Sequence, residues 1–282
     1  MNVLKRFAGR RAKPGPPWTR EALLKLFADY VGEKRVDAAV AELGPMDERA
    51  FTLPPRILGI TFAARSGSTF VGRLLSNAPW FADVNESFAL GQLTAIRDRH
   101  RLTDCSEATQ WMIDNRGTAN AFGYKCGFSV LIGAAATGFL SQALERTQFI
   151  RLERRDRVAQ AVSLLRAEIS GRLHSIEPDN EGGGGGVSID DYDADRIAFN
   201  VGHIARNETW FGEILDTLGK PAPVFAYEDI CADPAGFVRE IGALLDLPGA
   251  PDIAEEVGLE ILRDEISKAW IDRFRSEQPE VA

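Results

Sequence analysis

Apolar residues in this chain follow two rhythms. Short runs rich in β-branched and aromatic residues occur at 57–62, 122–128, 147–152 and 223–227, with a fainter one at 80–84, and each reads as a strand. Between them, apolar positions recur every three or four residues, as on one face of a helix. Thr19 is placed to cap the first such segment, in which Leu23, Leu24, Phe27, Tyr30 and Val31 start a pattern that continues to about Leu43. Helices are predicted at 88–101, 106–116 and 131–144. Val158, Ala161, Val162, Leu165 and Ile169 predict another over 158–171. Ile197, Val201, Ile204, Trp210, Phe211, Ile214 and Leu218 give the long segment 193–218 an inward face, and Asp233-Pro234 opens a helix reaching Leu245. Strands alternating with helices predict an α/β fold, a parallel sheet flanked by helices.

The pattern is sharpest at 59–77, GITFAARSGSTFVGRLLSN. An apolar strand ends, small polar residues follow, and a helical repeat of Phe70, Val71, Leu74 and Leu75 begins. At such a junction backbone amides and the helix dipole converge where an anion is favoured, as in P-loop-like sheets. Gly67 permits close approach of the backbone, Ser66, Ser68 and Thr69 bring hydroxyls, and Arg65 brings a rigid cationic fork. Gly67 is followed by Ser68, without the lysine of a Walker A loop, and no dinucleotide fingerprint is present.

Other candidate chemistry also follows strands. Asn85-Glu86-Ser87-Phe88 places a carboxylate at the same expected sheet edge, so Glu86 is a general-base candidate, against the plainer reading of a glutamate at a helix N-terminus. Lys125 lies on a predicted strand, where a solvent-facing lysine is the ordinary expectation. Arg151, Arg154, Arg155 and Arg157 crowd the next strand-to-helix corner. Ser163 lies two helical turns beyond Arg155, and the two converge only if Arg155 precedes the helix and folds back over it. Tyr227-Glu228-Asp229 follows the last strand, and a tail at 268–275 mixes aromatics with cations. His100, His174 and His203 show no metal-ligand spacing, and His203 reads as a core histidine.

With 282 residues, 45% hydrophobic and 26% charged, the chain suits a single globular α/β domain at 19–282, preceded by a flexible basic arm at 1–18. Five consecutive glycines, Gly182 to Gly186, predict a mobile Gly-rich loop near 174–191. A net charge of −8 argues against nucleic acid as a partner. Three scattered cysteines suit a reducing, cytoplasmic setting, with the basic arm offering a peripheral membrane contact, and no stretch is apolar enough for a transmembrane segment.

Taken in order, these motifs resemble sulfotransferases that use 3′-phosphoadenosine 5′-phosphosulfate. Arg65-Ser66-Gly67-Ser68-Thr69 resembles their 5′-phosphosulfate loop; Arg155 and Ser163 resemble the 3′-phosphate site. RDRVAQAVSLLRAEISG, from Arg155, is similar to the bacterial trehalose sulfotransferase-like family, and Asn85-Glu86 to its catalytic segment. Tyr227-Glu228-Asp229 with Asp233-Pro234, and Trp270 to Phe274, resemble further stretches of these enzymes. The resemblance implies a sulfotransferase fold, Glu86 as base and Arg65 at the leaving group. It implies donor contacts from Arg65, Ser66, Gly67, Ser68, Thr69, Arg155, Ser163 and Tyr227. It implies a small-molecule or glycan acceptor, no metal, and a homodimer. Ser87 stands where proline usually follows the glutamate, a departure at the acceptor side that separates this chain from trehalose itself. The acceptor pocket is expected from Phe88 onward and from the polyglycine region. The competing readings are a P-loop nucleotide kinase and a non-catalytic nucleotide-binding protein.

Overall fold

A computed structural model of the chain describes residues 18–171, 186–247 and 265–280. The basic arm and most of the expected polyglycine loop lie outside the described residues. Two helices come first, α1 (Arg20–Val31) and α2 (Glu33–Leu43), followed by strand β1 (Arg56–Phe62), α3 (Ser68–Ser76), α4 (Leu90–His100) and α5 (Cys105–Arg116). Next are β2 (Ala121–Cys126), α6 (Phe128–Ala136), α7 (Phe139–Ala143), β3 (Thr147–Glu153) and α8 (Arg157–Ser170). The long α9 (Ala194–Thr217) leads to β4 (Val224–Ala226), α10 (Tyr227–Ala232), α11 (Pro234–Leu244) and α12 (Glu265–Glu277).

The four strands form one parallel sheet in the order β2-β1-β3-β4. The central strand β1 is covered on both faces, which is why its sequence is nearly continuous apolar rather than alternating. Ile57, Phe122, Tyr124 and Phe149 face a core built with α1, α2 and α4 to α7, where Phe88 stacks on Phe139 with centroids 4.3 Å apart. Leu58, Ile60 and Ile150 face the opposite core, closed by α3 and α11. A third cluster joins α8, α9 and α12, and holds Trp270 and Phe274.

Local chemistry explains where elements depart from the periodic pattern. The first helical segment breaks into α1 and α2 at Gly32, whose φ of 91° no helix accommodates. The segment predicted at 131–144 breaks at Gly138, φ 79°. Residues 80–84 form no strand; Trp80, Phe81 and Val84 are core side chains on an irregular segment, and only Asn85 bridges to Tyr124. The last strand stops at Ala226, so Tyr227 opens α10 instead of ending β4.

Candidate functional site

After β1 the chain turns into α3 through Ala63 to Gly67. The Ser66 amide donates to the Ala63 carbonyl at 3.3 Å and closes the turn. Arg65 (φ 65°) and Gly67 (φ 91°) are both left-handed, a backbone geometry that gathers amides into an anion-binding concavity. No side chain caps α3, so its first amides lack intrahelical partners and sit at the positive end of the helix dipole. The Tyr227 ring lies directly over Gly67: a Cβ there would be 2.2 Å from Tyr227 Cδ2. Ser66 is fully buried, and among the described residues its Oγ has no hydrogen-bond partner. Ser68 is buried and Thr69 half-buried.

The second corner follows β3, immediately beside the first because β1 and β3 are neighbours. Asp156 caps α8, accepting from the Ala159 amide at 3.0 Å. Two hydrogen bonds join the corners: Arg65 Nε donates to Ser163 Oγ at 3.0 Å, and Gln160 Nε2 donates to the Ala64 carbonyl at 2.8 Å. Burial, then the charges of Arg154 and Arg166, push the Arg65 pKa down, so three guanidinium groups share one region. Arg154 lies over the Tyr227 ring, 5.6 Å from its centroid. Arg155 points elsewhere. Its Nη1 donates to Asp229 Oδ1 at 2.7 Å and its Nη2 to Asp229 Oδ2, an exposed two-point pair. Ser163 therefore meets Arg65, and no bond joins it to Arg155 among the described residues. The carboxylate that holds Arg155 is Asp229, brought from β4's end, rather than its sequence neighbours Glu153 or Asp156.

Glu86 arrives at the same edge because Asn85 bridges to Tyr124 and its carbonyl accepts from the Lys125 amide at 2.8 Å. The turn is fixed from behind: Asn85 Oδ1 accepts from Ser87 Oγ at 2.8 Å and from Arg116 Nη1 at 2.7 Å. Lys125 is buried, not solvent-facing. Its Nζ donates to Glu86 Oε1 at 3.4 Å and lies 5.8 Å from the Phe62 ring centroid. A cavity of about 480 Å³ opens beside this pair, lined by Glu86, Phe62 and Ala64 from the sheet edge and by Tyr30, Phe128, His203 and Trp210 from the helices. Ala64 is the link, since it belongs to both the cavity wall and the anion loop. Burial first, then Arg206 and Arg35, lower the His203 pKa below its usual 6.5, so the imidazole is neutral at pH 7; it hydrogen-bonds Asn207 at 3.1 Å.

The model of the Stf0 sulphotransferase family matches residues 131–277, more than half of the chain. The chain belongs to this family. A sulfotransferase domain from the Synechococcus PCC 7002 olefin synthase is similar to it at 15% identity, over 82% of this chain and 91% of that domain, with a TM-score of 0.41. No curated protein matches the chain.

Membership of the Stf0 family makes sulfuryl transfer the general chemistry, in preference to the phosphoryl transfer of a kinase. The match includes β3, α8, α9, Tyr227 and all of α12, whereas the Arg65 loop and Glu86 precede it and are placed here by geometry. In this sulphotransferase the tail motif is mostly structural. Trp270 and Phe274 are buried against α8 and α9, Trp270 Nε1 donating to the Ile189 carbonyl at 3.1 Å, while Arg275 reaches Asp156 at 2.9 Å. Phe88 itself is fully buried in the core, and the helical walls of this cavity come from α1, α2, α6 and α9, while most of the polyglycine region lies outside the described residues. Tyr30 and Trp210 carried the usable signal, because amphipathic aromatics are suited to a surface that is apolar on one side and wet on the other. Among the described residues no group of three His, Cys, Asp or Glu side chains is placed to hold a metal ion, and no single helix is long and apolar enough to cross a membrane.

Proposed function

We propose that this protein transfers a sulfuryl group from 3′-phosphoadenosine 5′-phosphosulfate to a hydroxyl of a carbohydrate or related small metabolite. The observation that carries this reading is the Arg65–Ser163 hydrogen bond: it joins the two strand-to-helix corners, within a family of sulphotransferases, at the place where one nucleotide would span both. The loop fits an anion. Its uncapped helix, its left-handed Arg65 and Gly67, and its unpartnered Ser66 hydroxyl each want a negative oxygen.

In this mechanism the acceptor oxygen attacks sulfur in line as the bond to the 5′-phosphate oxygen breaks, releasing adenosine 3′,5′-bisphosphate. The acceptor proton passes to Glu86. Arg65 and the amides of Ser66 to Thr69 stabilise the charge growing on the leaving phosphate, without needing to reorganise. Lys125 holds the Glu86 carboxylate in place through their 3.4 Å contact. Tyr227 walls the loop, and Arg155 and Ser163 serve the 3′-phosphate. At Arg155, phosphate binding exchanges one anion for another, because Asp229 already engages the guanidinium.

Glu86→Gln should lower transfer of radiolabelled sulfate about 10²–10⁴-fold while adenosine 3′,5′-bisphosphate still raises the melting temperature. A near wild-type rate would remove Glu86 from the mechanism. Stabilisation by ATP with magnesium but not by the bisphosphate would point to a kinase, and bisphosphate binding with no transfer to any acceptor would point to a silent binding protein.

A further inference from the structure

The cavity beside Glu86 has an uneven charge distribution. Glu86 is the only carboxylate among its lining residues, whereas α2 contributes Arg35 and α9 contributes Arg206, both solvent-exposed. Neither arginine takes part in an ion pair among the described residues, in a fold where Arg97, Arg155, Arg157, Arg196 and Arg273 all do. Arg206 is held in place by Trp210, whose ring centroid lies 5.7 Å from its guanidinium carbon. His203, on α9, lines the same cavity as both arginines. Much of the remaining wall is aromatic: Phe128 meets Trp210 edge-on at 5.8 Å, and Tyr30 meets it at 5.9 Å.

These features give the cavity three kinds of lining: one carboxylate, several aromatic rings, and two guanidinium forks outside any ion pair among the described residues. Guanidinium groups bind carboxylate or phosphate oxygens through fixed, charge-assisted hydrogen bonds. On a chain with net charge −8 such a local cationic pair is the feature that would recruit an anion. From this arrangement we infer that the acceptor is itself anionic. It is a small hydroxylated molecule with a ring or flat apolar body and one oxyanion, carboxylate or phosphate, which Arg35 and Arg206 bind while its hydroxyl faces Glu86. The inference rests on the reading of Glu86 as the reacting end of the pocket, and it makes Arg35 and Arg206 determinants of specificity.

The test compares matched probes on the full chain saturated with adenosine 3′,5′-bisphosphate. Affinities from ligand-observed NMR are measured for 4-hydroxyphenylacetate against its neutral alcohol, 2-(4-hydroxyphenyl)ethanol, and for glucose 6-phosphate against glucose. At least one acid should bind about tenfold more tightly than its neutral twin, and the two arms separate carboxylate from phosphate. The double substitution Arg35→Gln, Arg206→Gln should bring the acid's affinity to that of its twin, and Arg35→Lys, Arg206→Lys should restore much of the preference. Equal binding of acid and twin, no binding of either acid, or a preference that survives the glutamine variant overturns the inference. Arginine-dependent acid binding by a protein that transfers no sulfate from labelled donor refutes the catalytic reading and leaves the anion site standing.

Discussion

Gly67 shows how a single residue shapes the loop between β1 and α3. Its φ of 91° lies in the left-handed region, and the Tyr227 ring occupies the space that a Cβ would need. Gly67→Ala therefore has two costs, backbone strain of about 1–3 kcal/mol and displacement of the tyrosine that walls the loop. Affinity for adenosine 3′,5′-bisphosphate, measured by calorimetry, should fall by more than about tenfold while far-ultraviolet circular dichroism stays that of the wild type; unchanged affinity would mean that the loop does not bind the nucleotide. Lys125 makes the complementary point about reading a sequence. On a half-exposed strand its neighbours would point alternately in and out, and a lysine would face water. β2 is buried on both faces, so the pattern FGYKC carries no such instruction, and the lysine lies inside with Glu86 as its partner. His203 reads from the sequence as a core histidine, but it is half-buried and lines the cavity, where its neighbours Arg35 and Tyr30 come from helices more than 150 residues earlier in the chain.

At the scale of elements, all four sheet strands were legible, as were most helices, because β-branched runs and helical spacing are local signals. The errors arose where a single glycine or a tertiary contact overrode the period, at Gly32, at Gly138 and at 80–84. The two strand-to-helix corners were legible as strand, polar turn and helix, but their joining through Arg65 and Ser163 was not, because strand order β2-β1-β3-β4 decides which corners are neighbours. Asp104 supports this architecture away from the site. It caps α5 by accepting from the Glu107 amide at 2.9 Å and from Ser106 Oγ at 2.7 Å, and its other oxygen accepts from the Asp47 amide at 2.9 Å, tying the segment before β1 to α5. Asp104→Ala should cost about 2 kcal/mol, read as a lower urea midpoint at neutral pH. Burial pushes the Asp104 carboxyl pKa up, but the hydrogen bonds outweigh it and the net displacement is below 3.8. A depressed folded pKa means stabilisation that is present above 3.8 and lost as pH falls through the folded value. The gap in stability between wild type and variant should therefore narrow in acid, and a gap independent of pH would show that the charge of Asp104 contributes nothing.

For the molecule as a whole, the carboxyl ends of all four strands deliver the site: Lys125 follows from β2, the Arg65 loop from β1, Arg154 and Arg155 from β3, and Tyr227 and Asp229 from β4. A ligand spanning two of these corners binds only the folded chain. At about 100 times its dissociation constant it should add about 2.7 kcal/mol to stability and raise the melting temperature accordingly. In the proposed mechanism the Arg155–Asp229 pair bears on the size of that constant. Both partners are about two-thirds exposed, at 60% and 66%, so solvent screens the pair and it contributes little to stability. Asp229 engages the Arg155 guanidinium at two points, so a 3′-phosphate bound there as proposed would have to displace it. Removing the competitor and removing the receptor should then act in opposite directions. Asp229→Asn leaves a hydrogen-bonding side chain without the charge and should tighten bisphosphate binding by up to about fivefold, with a matching rise in the ligand-induced melting shift. Arg155→Ala deletes the cation and should weaken binding and shrink that shift. If both variants weaken the bisphosphate equally, Arg155 and Asp229 form one structural brace between the ends of β3 and β4, and the 3′-phosphate is held elsewhere along the corner, with Ser163 and Arg65 its remaining contacts.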